Sequence, residues 1–107
     1  MTTFDDREDT FEKKFALDEE LRFKATARRN KLLGLWAAEK LGLYGADAEA
    51  YAKALVIADV AQDGDQEVFS RVRSDFDAKS VTQTDQQIRR TMYELMAKAV
   101  EQLQVAG

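Results

Sequence analysis

Apolar residues recur at helical spacing along most of the chain, and the longest regular stripe lies in the first half. Between Leu21 and Leu43, the apolar positions fall within roughly a 100° arc at 3.6 residues per turn, as expected for a core-facing helix. Gly42 and Gly45 can end this helix, because glycine readily adopts the left-handed conformation of a C-terminal cap. The stripe consists of Leu21, Ala25, Leu32, Leu35, Trp36 and Leu43.

Three further helices are predicted after this one. Asp47 can cap a second helix that extends to about Ala61. The run Asp63-Gly64-Asp65 is typical of a stop, a turn and a new cap before a third helix. Thr84 and Gln87 have the spacing of a capping box for the last helix. The inward-facing positions are Tyr51, Ala54, Leu55 and Ala58 in the second helix, Val68, Phe69, Val72 and Phe76 in the third, and Ile88, Met92, Leu95, Met96, Ala99 and Leu103 in the last. With no competing strand pattern, the sequence predicts an all-α fold, a small antiparallel four-helix bundle.

A helical pattern also precedes this bundle. A single helix from Phe4 to Leu41 would be about 57 Å long, whereas the other predicted helices reach only about 20–30 Å. The first part of such a helix would have little to pack on. We therefore divide the chain into an N-terminal arm, residues 1–20, and a bundle domain, residues 21–107. We expect the arm to be mobile or partly helical in the free protein.

Three phenylalanines define one face of the arm. Phe4, Phe11 and Phe15 align at helical spacing, and their face is rotated by about 60–90° from the core stripe. Burying three phenylalanine side chains contributes on the order of 5–9 kcal/mol, against about 2–5 kcal/mol for ordering the segment. Either a partner protein covers this face, or the arm folds back and caps the bundle.

Charge divides the first forty residues into two halves. Residues 1–20 contain eight acidic and three basic residues, a net charge of −5. Residues 21–40 contain six basic residues and one acidic residue, a net charge of +5. An acidic amphipathic arm joined to a basic helix is typical of a protein that binds a larger partner.

The composition makes a catalytic function improbable. The chain has no cysteine, no histidine and no proline, so the usual general base and the commonest metal ligands are missing. The stretch that begins at Asp63 imitates a calcium loop, but Val68 replaces the required glycine and Ser74 the closing glutamate. We expect no enzyme activity, no metal and no cofactor.

The remaining partner classes are limited by charge and hydropathy. Arg28, Arg29 and Lys31 form a basic cluster beside Trp36, but the chain has a net charge of −4, which argues against nucleic acid. We interpret the cluster as a solvated face or as part of an ion-pair network with Glu39 or another helix. No segment resembles a signal peptide or a membrane span. We expect a cytoplasmic protein without membrane insertion that is monomeric when free.

Several runs of sequence resemble one protein family. They are Met1-Thr2-Thr3-Phe4-Asp5-Asp6-Arg7, Phe11-Glu12-Lys13-Lys14-Phe15-Ala16, Phe23-Lys24-Ala25 and, most distinctively, Ala27-Arg28-Arg29-Asn30-Lys31-Leu32-Leu33-Gly34-Leu35-Trp36-Ala37-Ala38-Glu39. In these runs the chain resembles the zeta-subunit family of ATP synthase inhibitors from alphaproteobacteria, and the resemblance extends over the whole chain.

This resemblance implies a function and a site. The family's inhibitory segment binds the F1 head of ATP synthase at a catalytic α/β interface near the γ shaft and blocks rotation in the hydrolysis direction. That segment corresponds to roughly residues 1–19 here, and the positions expected to contact the partner are Phe4, Asp5, Arg7, Glu8, Phe11 and Phe15. The bundle would act as a scaffold, held by Leu21, Leu32, Leu35, Trp36, Val72, Phe76 and Leu95. The alternative is a non-inhibitory helical adaptor or assembly factor, which periodicity and composition alone do not distinguish from an inhibitor.

Overall fold

The computed structural model describes residues 19–58 and 64–106 of the chain. Over these residues it contains four helices: α1 is Glu19–Leu41, α2 is Gly45–Ala58, α3 is Gly64–Ala78 and α4 is Asp85–Ala106. The regular structure in these ranges is entirely helical, which confirms the predicted all-α four-helix fold. The first helix is the organising element, because it packs extensively on both α2 and α4 and also contacts α3.

The end of α1 is fixed by the predicted glycine. Gly42 has a φ of 80°, in the left-handed region where glycine carries no steric cost. Its amide donates to the carbonyl of Glu39 at 3.2 Å, and the amide of Leu43 donates to the carbonyl of Ala38 at 2.8 Å. These two bonds form a Schellman motif, which satisfies carbonyls that the helix end would otherwise leave unpaired.

The junction between α3 and α4 contains a second motif of this kind and the predicted capping box. Val81 donates its amide to the carbonyl of Phe76 at 2.8 Å, with Ser80 in the left-handed position at a φ of 59°. The Thr84 amide donates to the Gln87 side-chain oxygen at 2.8 Å, and the Gln87 amide donates to the Thr84 hydroxyl at 3.1 Å. Both reciprocal bonds of the capping box are present, so this prediction is confirmed.

The start of α2 differs from the sequence prediction. The helix begins at Gly45, two residues before Asp47, so Asp47 lies in its first turn and not at the cap. A carboxylate there still interacts favourably with the positive end of the helix. The predicted extension to Ala61 falls on residues outside those described.

The hydrophobic core is formed mainly by α3 and α4 against the middle of α1 and α2. The four apolar positions predicted for α3 are all buried, and Val72 and Phe76 are fully inaccessible. Trp36 is half-buried and packs on this core, with its ring centroid 5.6 Å from that of Phe76 at an interplanar angle of 57°. Leu95 also packs against the core while remaining partly exposed.

The buried face of α1 is the main correction to the sequence prediction. Leu21, Leu32, Leu35 and Trp36 are all only partly buried. Ala25 is buried, as the stripe predicted, and the other buried positions of this helix are Arg29, Asn30, Leu33, Gly34, Ala37 and Ala38. The physical reason is that α1 is contacted from two sides, by α2 and α4. Small side chains on those sides let the backbones approach, and the bulkier leucines are left at the flanks.

Candidate functional site

The partner-binding positions predicted in the arm lie outside the described residues. These positions are Phe4, Asp5, Arg7, Glu8, Phe11 and Phe15. Glu19 and Glu20, the last two residues of the predicted arm, form the first turn of α1, so this helix begins two residues before the predicted Leu21. Carboxylates are favourable there because the unpaired amides at a helix N-terminus carry partial positive charge.

An apolar groove lies along α1 beside this point of entry, and we call it the α1 groove. It has a volume of about 660 Å³ and runs between the outer face of α1 and the ends of α2 and α4. Its apolar walls are formed by Phe23, Ala27, Leu32, Leu35, Val56 and Leu103. Phe23 is 73% exposed, so a large apolar side chain is presented to solvent at one end of the groove.

The edge of the α1 groove is basic. Lys24, Arg28 and Lys31 line it, at intervals of three and four residues that place them side by side on a helix. Lys24 pairs with Glu20 at 3.1 Å, and Arg28 donates to the Gln102 side-chain oxygen at 3.5 Å. Both contacts are between exposed side chains, where such bonds contribute little and exchange readily. The three cations therefore remain available to an acidic ligand.

The structure divides the basic cluster between the two interpretations that the sequence left open, a solvated face and an ion-pair network. Arg28 and Lys31 are exposed, whereas Arg29 is 3% exposed and Asn30 is fully buried. The spacing could have revealed this, because Arg29 stands four residues after Ala25 and four before Leu33, both of them fully buried. The four-residue spacing did not lead to a prediction that Arg29 is buried, because a charged arginine is rarely buried unless it is paired.

Arg29 is paired with the start of α3. Its Nη2 donates to Asp65 Oδ1 at 2.5 Å, and its Nε donates to Asn30 Oδ1 at 2.7 Å. The ion pair with another helix was one of the two interpretations that the sequence left open. Within the described residues, the Asn30 side-chain nitrogen is the one buried side-chain polar atom without a hydrogen-bond partner. The contact ties α1 to the first turn of α3 and leaves the exposed cations of the groove free of this role.

A second polar cluster lies at the opposite end of the bundle. Tyr51 donates its hydroxyl to Asp75 Oδ2 at 2.7 Å, and Arg71 donates to the same oxygen at 3.3 Å. Burial raises the pKa of the Tyr51 hydroxyl, and its hydrogen bond to the Asp75 carboxylate raises that pKa further. The cluster joins α2 to α3, so we assign it a structural role.

Arg73 holds the corner between α3 and α4. Its guanidinium donates to Asp77 at 2.8 Å, to Asp85 at 3.0 Å and to the backbone carbonyl of Gln83 at 2.7 Å. These acceptors lie on both sides of the left-handed residue Ser80. The network therefore stabilises the turn geometry and does not form part of the α1 groove.

None of the helices in residues 19–58 and 64–106 combines the length and apolarity needed to cross a bilayer.

Comparisons with known proteins agree with the resemblance seen in the sequence. The family model described as ATPase inhibitor subunit zeta matches residues 1–102. A protein structure solved by solution NMR is 42% identical to this chain, with a TM-score of 0.71, and the match covers 81% of this chain and 99% of that one. A comparison with curated proteins finds no match.

The family match includes the arm as well as the bundle, since it begins at residue 1. The structural match at 42% identity agrees with the four-helix fold described above. On these grounds the chain belongs to the family of ATPase inhibitor subunit zeta.

Proposed function

We propose that this protein inhibits ATP hydrolysis by bacterial F1Fo-ATP synthase by inserting its N-terminal arm, residues 1–20, into the F1 head. The arm folds as a helix in a catalytic α/β interface near the γ shaft and blocks rotation in the hydrolysis direction. The observation that carries this proposal is the family match, which includes the arm from its first residue. The role is one of binding, and no chemical step is required of the protein.

The arm has the composition that such insertion requires. Phe4, Phe11 and Phe15 supply one apolar face, and burying them contributes on the order of 5–9 kcal/mol. Folding a disordered segment on binding costs about 2–5 kcal/mol or more. The difference corresponds to modest affinity from the arm alone. Asp5, Arg7 and Glu8 would set the register of the helix against charged walls of the interface.

The bundle contributes in two ways. It provides a rigid attachment point for the C-terminal end of the arm, because α1 begins at Glu19 and continues into the core. It also adds a second contact surface, and two linked contacts bind more tightly than either one alone because the second contact is intramolecular. This combination explains how an arm of modest affinity can act on a rotating partner.

The direct test is ATP hydrolysis by the F1 head of an alphaproteobacterial ATP synthase, titrated with three proteins. They are the full chain, a chain that begins at Glu19 and so keeps all of α1, and a full-length variant with Phe4, Phe11 and Phe15 replaced by serine. We expect inhibition by the full chain alone. The serine variant is the matched control, because it retains the length and charge of the arm.

The alternative function, a non-inhibitory helical adaptor or assembly factor, is favoured by one observation. The bundle has an apolar groove of its own, the α1 groove, which is lined entirely by residues outside the arm. An adaptor would bind F1 or another protein equally well with and without residues 1–18 and would leave ATP turnover unchanged. Binding by all three proteins without inhibition by any of them would therefore replace the proposed function with this one.

A further inference from the structure

We propose that the α1 groove is the docking surface for this chain's own arm. In the free protein, residues 4–15 bind there as a helix antiparallel to α1, with their phenylalanine face against the apolar walls and their carboxylates against the basic edge. The docking itself does not depend on the proposed function. Its consequence for inhibition does.

The groove and the arm match in apolar chemistry. The walls of the groove are aliphatic and aromatic, and Phe23 at one end is 73% exposed. Leu32 and Leu35, which the sequence pattern predicted as core, are only half-buried because their outer sides line this groove. An additional helix laid along α1 would complete their burial. The helical spacing of the arm places three phenylalanines on one face, and an apolar groove would remove these side chains from water.

The lengths of the arm and of the α1 groove agree as well. Phe4 and Phe15 are separated by eleven residues, about 17 Å along a helix at 1.5 Å per residue. The groove residues Phe23 and Leu35 are separated by twelve residues of α1, about 18 Å on the same rise. An arm that runs antiparallel to α1 therefore places Phe15 beside Phe23, Phe11 beside Ala27 and Phe4 near Leu35.

The charges are complementary. Residues 1–18 contain six acidic and three basic residues, a net charge of −3. The groove edge carries three cations, Lys24, Arg28 and Lys31. The pair between Lys24 and Glu20 is between exposed groups, so it can be exchanged for an arm carboxylate at little cost.

Covalent attachment favours the arm over any separate molecule. The arm joins α1 at Glu19, one helical turn before Phe23. A connection of about 2–5 residues is enough to reverse the chain between two antiparallel helices, and residues 16–18 can supply it. The tether gives the arm a high effective concentration at the groove, on the order of millimolar. A second copy of the chain or another protein lacks this advantage.

Docking in the groove would tune the proposed inhibition. An arm held against its own bundle is unavailable to the ATPase, and the apparent affinity falls in proportion to the free fraction. An arm docked about 90% of the time would lower the apparent affinity about tenfold. Conditions that weaken the contact with the basic edge, such as high salt, would release the arm.

The test uses paramagnetic broadening in the full-length free protein. The chain contains no cysteine, so Thr10→Cys provides a single site for a nitroxide label, away from the phenylalanine face. We expect loss of amide peak intensity at Ala27, Lys31 and Leu103 in the groove. Ser80 and Asp85 should keep their intensity, because they lie at the other end of the bundle. Intensities are compared with the nitroxide oxidised and reduced.

Two charge variants with the same change in net charge test the basic edge. In the labelled chain, replacing Lys24, Arg28 and Lys31 together by glutamate should abolish the broadening. The matched control replaces three exposed cations elsewhere, Lys40, Arg90 and Lys98, by glutamate and should leave the broadening intact. If the first variant fails to fold, Phe11→Ser with Phe15→Ser gives the same test without altering the bundle.

Three outcomes of the labelling experiments would overturn the proposal, and a mixing experiment adds a fourth. They are no broadening in the groove, equal broadening at both ends of the bundle, or broadening that the matched charge control also removes. In a mixture of spin-labelled chains without isotope label and isotope-labelled chains without spin label, groove broadening can arise only between chains. Broadening in this mixture as strong as in the uniformly labelled sample would identify a second copy as the occupant, which also overturns the proposal. Inhibition of F1 without groove docking would contradict this inference and support the proposed function. Groove docking without inhibition would do the reverse.

Discussion

Gly34 of α1 packs directly on the backbone of Ala52 in α2. A Cβ built at position 34 would lie 2.4 Å from the Ala52 Cα and 2.9 Å from its Cβ. Both distances are shorter than any normal carbon–carbon contact, so the two helices approach as closely as they do only because residue 34 has no side chain. This contact fixes the spacing between α1 and α2. Because Val56 of α2 forms one wall of the α1 groove, the same spacing sets the position of that wall.

We predict that Gly34→Ala destabilises the protein. Alanine is favoured over glycine in a helix interior by about 1 kcal/mol, so propensity alone predicts a gain in stability. The clash with the Ala52 backbone should outweigh this gain, because overpacking a core typically costs about 1–3 kcal/mol. Chemical denaturation decides between the two by sign: an increase in the free energy of unfolding would contradict the close packing.

Replacing Ser80 with glycine should stabilise the protein. Ser80 has a φ of 59° at the end of α3, and the left-handed conformation costs a non-glycine residue roughly 1–2 kcal/mol. Part of that gain is offset by the greater flexibility of glycine in the unfolded chain, so we expect a net increase of about 0.5–1 kcal/mol. Ser80→Ala is the control and should bring no gain, as measured by thermal unfolding.

Asp65, through its ion pair with Arg29, should contribute more to the free energy of unfolding than the other exposed carboxylates of α3. Asp65→Asn leaves the Arg29 guanidinium buried without its carboxylate, and breaking a fully buried pair costs about 3–5 kcal/mol. Asp65 itself is 67% exposed, so water compensates in part and we expect about 1–3 kcal/mol.

Glu67→Gln provides the matched control for this prediction. Glu67 is exposed and lies in the same first turn of α3 as Asp65, so it shares the favourable interaction with the helix N-terminus. A surface change of this kind should stay within about 0.5 kcal/mol. Equal losses for the two variants in urea denaturation would show that Arg29 gains nothing from the carboxylate of Asp65.

Stability at high pH should depend on Tyr51. The folded state holds the pKa of Tyr51 above its usual value of about 10, so its contribution is fully present below pH ~10 and is lost as the pH rises through the folded pKa. Tyr51→Phe lacks the hydroxyl and the hydrogen bond to Asp75. The variant should therefore be less stable than the wild type at neutral pH, with a gap that narrows above pH ~10. Urea denaturation at a series of pH values measures this gap, and a gap that stays constant into the alkaline range would contradict the assignment.

The phenylalanine face of the arm should control inhibition. Phe11→Ala or Phe15→Ala should weaken inhibition of F1 ATP hydrolysis at least tenfold, since each buried phenylalanine contributes about 1.5–3 kcal/mol and a tenfold change corresponds to about 1.4 kcal/mol. Thr10→Ala, which lies off this face, is the control and should retain potency. If potency survives both phenylalanine replacements together, the face does not bind the ATPase.

Local features of this fold could be read from the sequence. The first helix ends at Gly42 and the capping box of Thr84 and Gln87 forms, both as predicted. Each involves backbone and side-chain groups within a few residues, so the nearby sequence is sufficient to specify them. The inward positions of α3 were also correct, because Val68, Phe69, Val72 and Phe76 pack on one side only and the helical period identifies that side.

The sequence by itself determined the helical architecture of the described residues and the family, and it predicted the amphipathic arm. Only the tertiary structure decided which side of α1 is buried, that Arg29 and Asn30 lie inside, and that Leu32 and Leu35 line an open groove. The physical reason is that burial is a property of the neighbouring helices. Since α2 and α4 approach α1 from two sides, small residues such as Gly34 become core, and the larger apolar residues are left at a surface that a partner can cover.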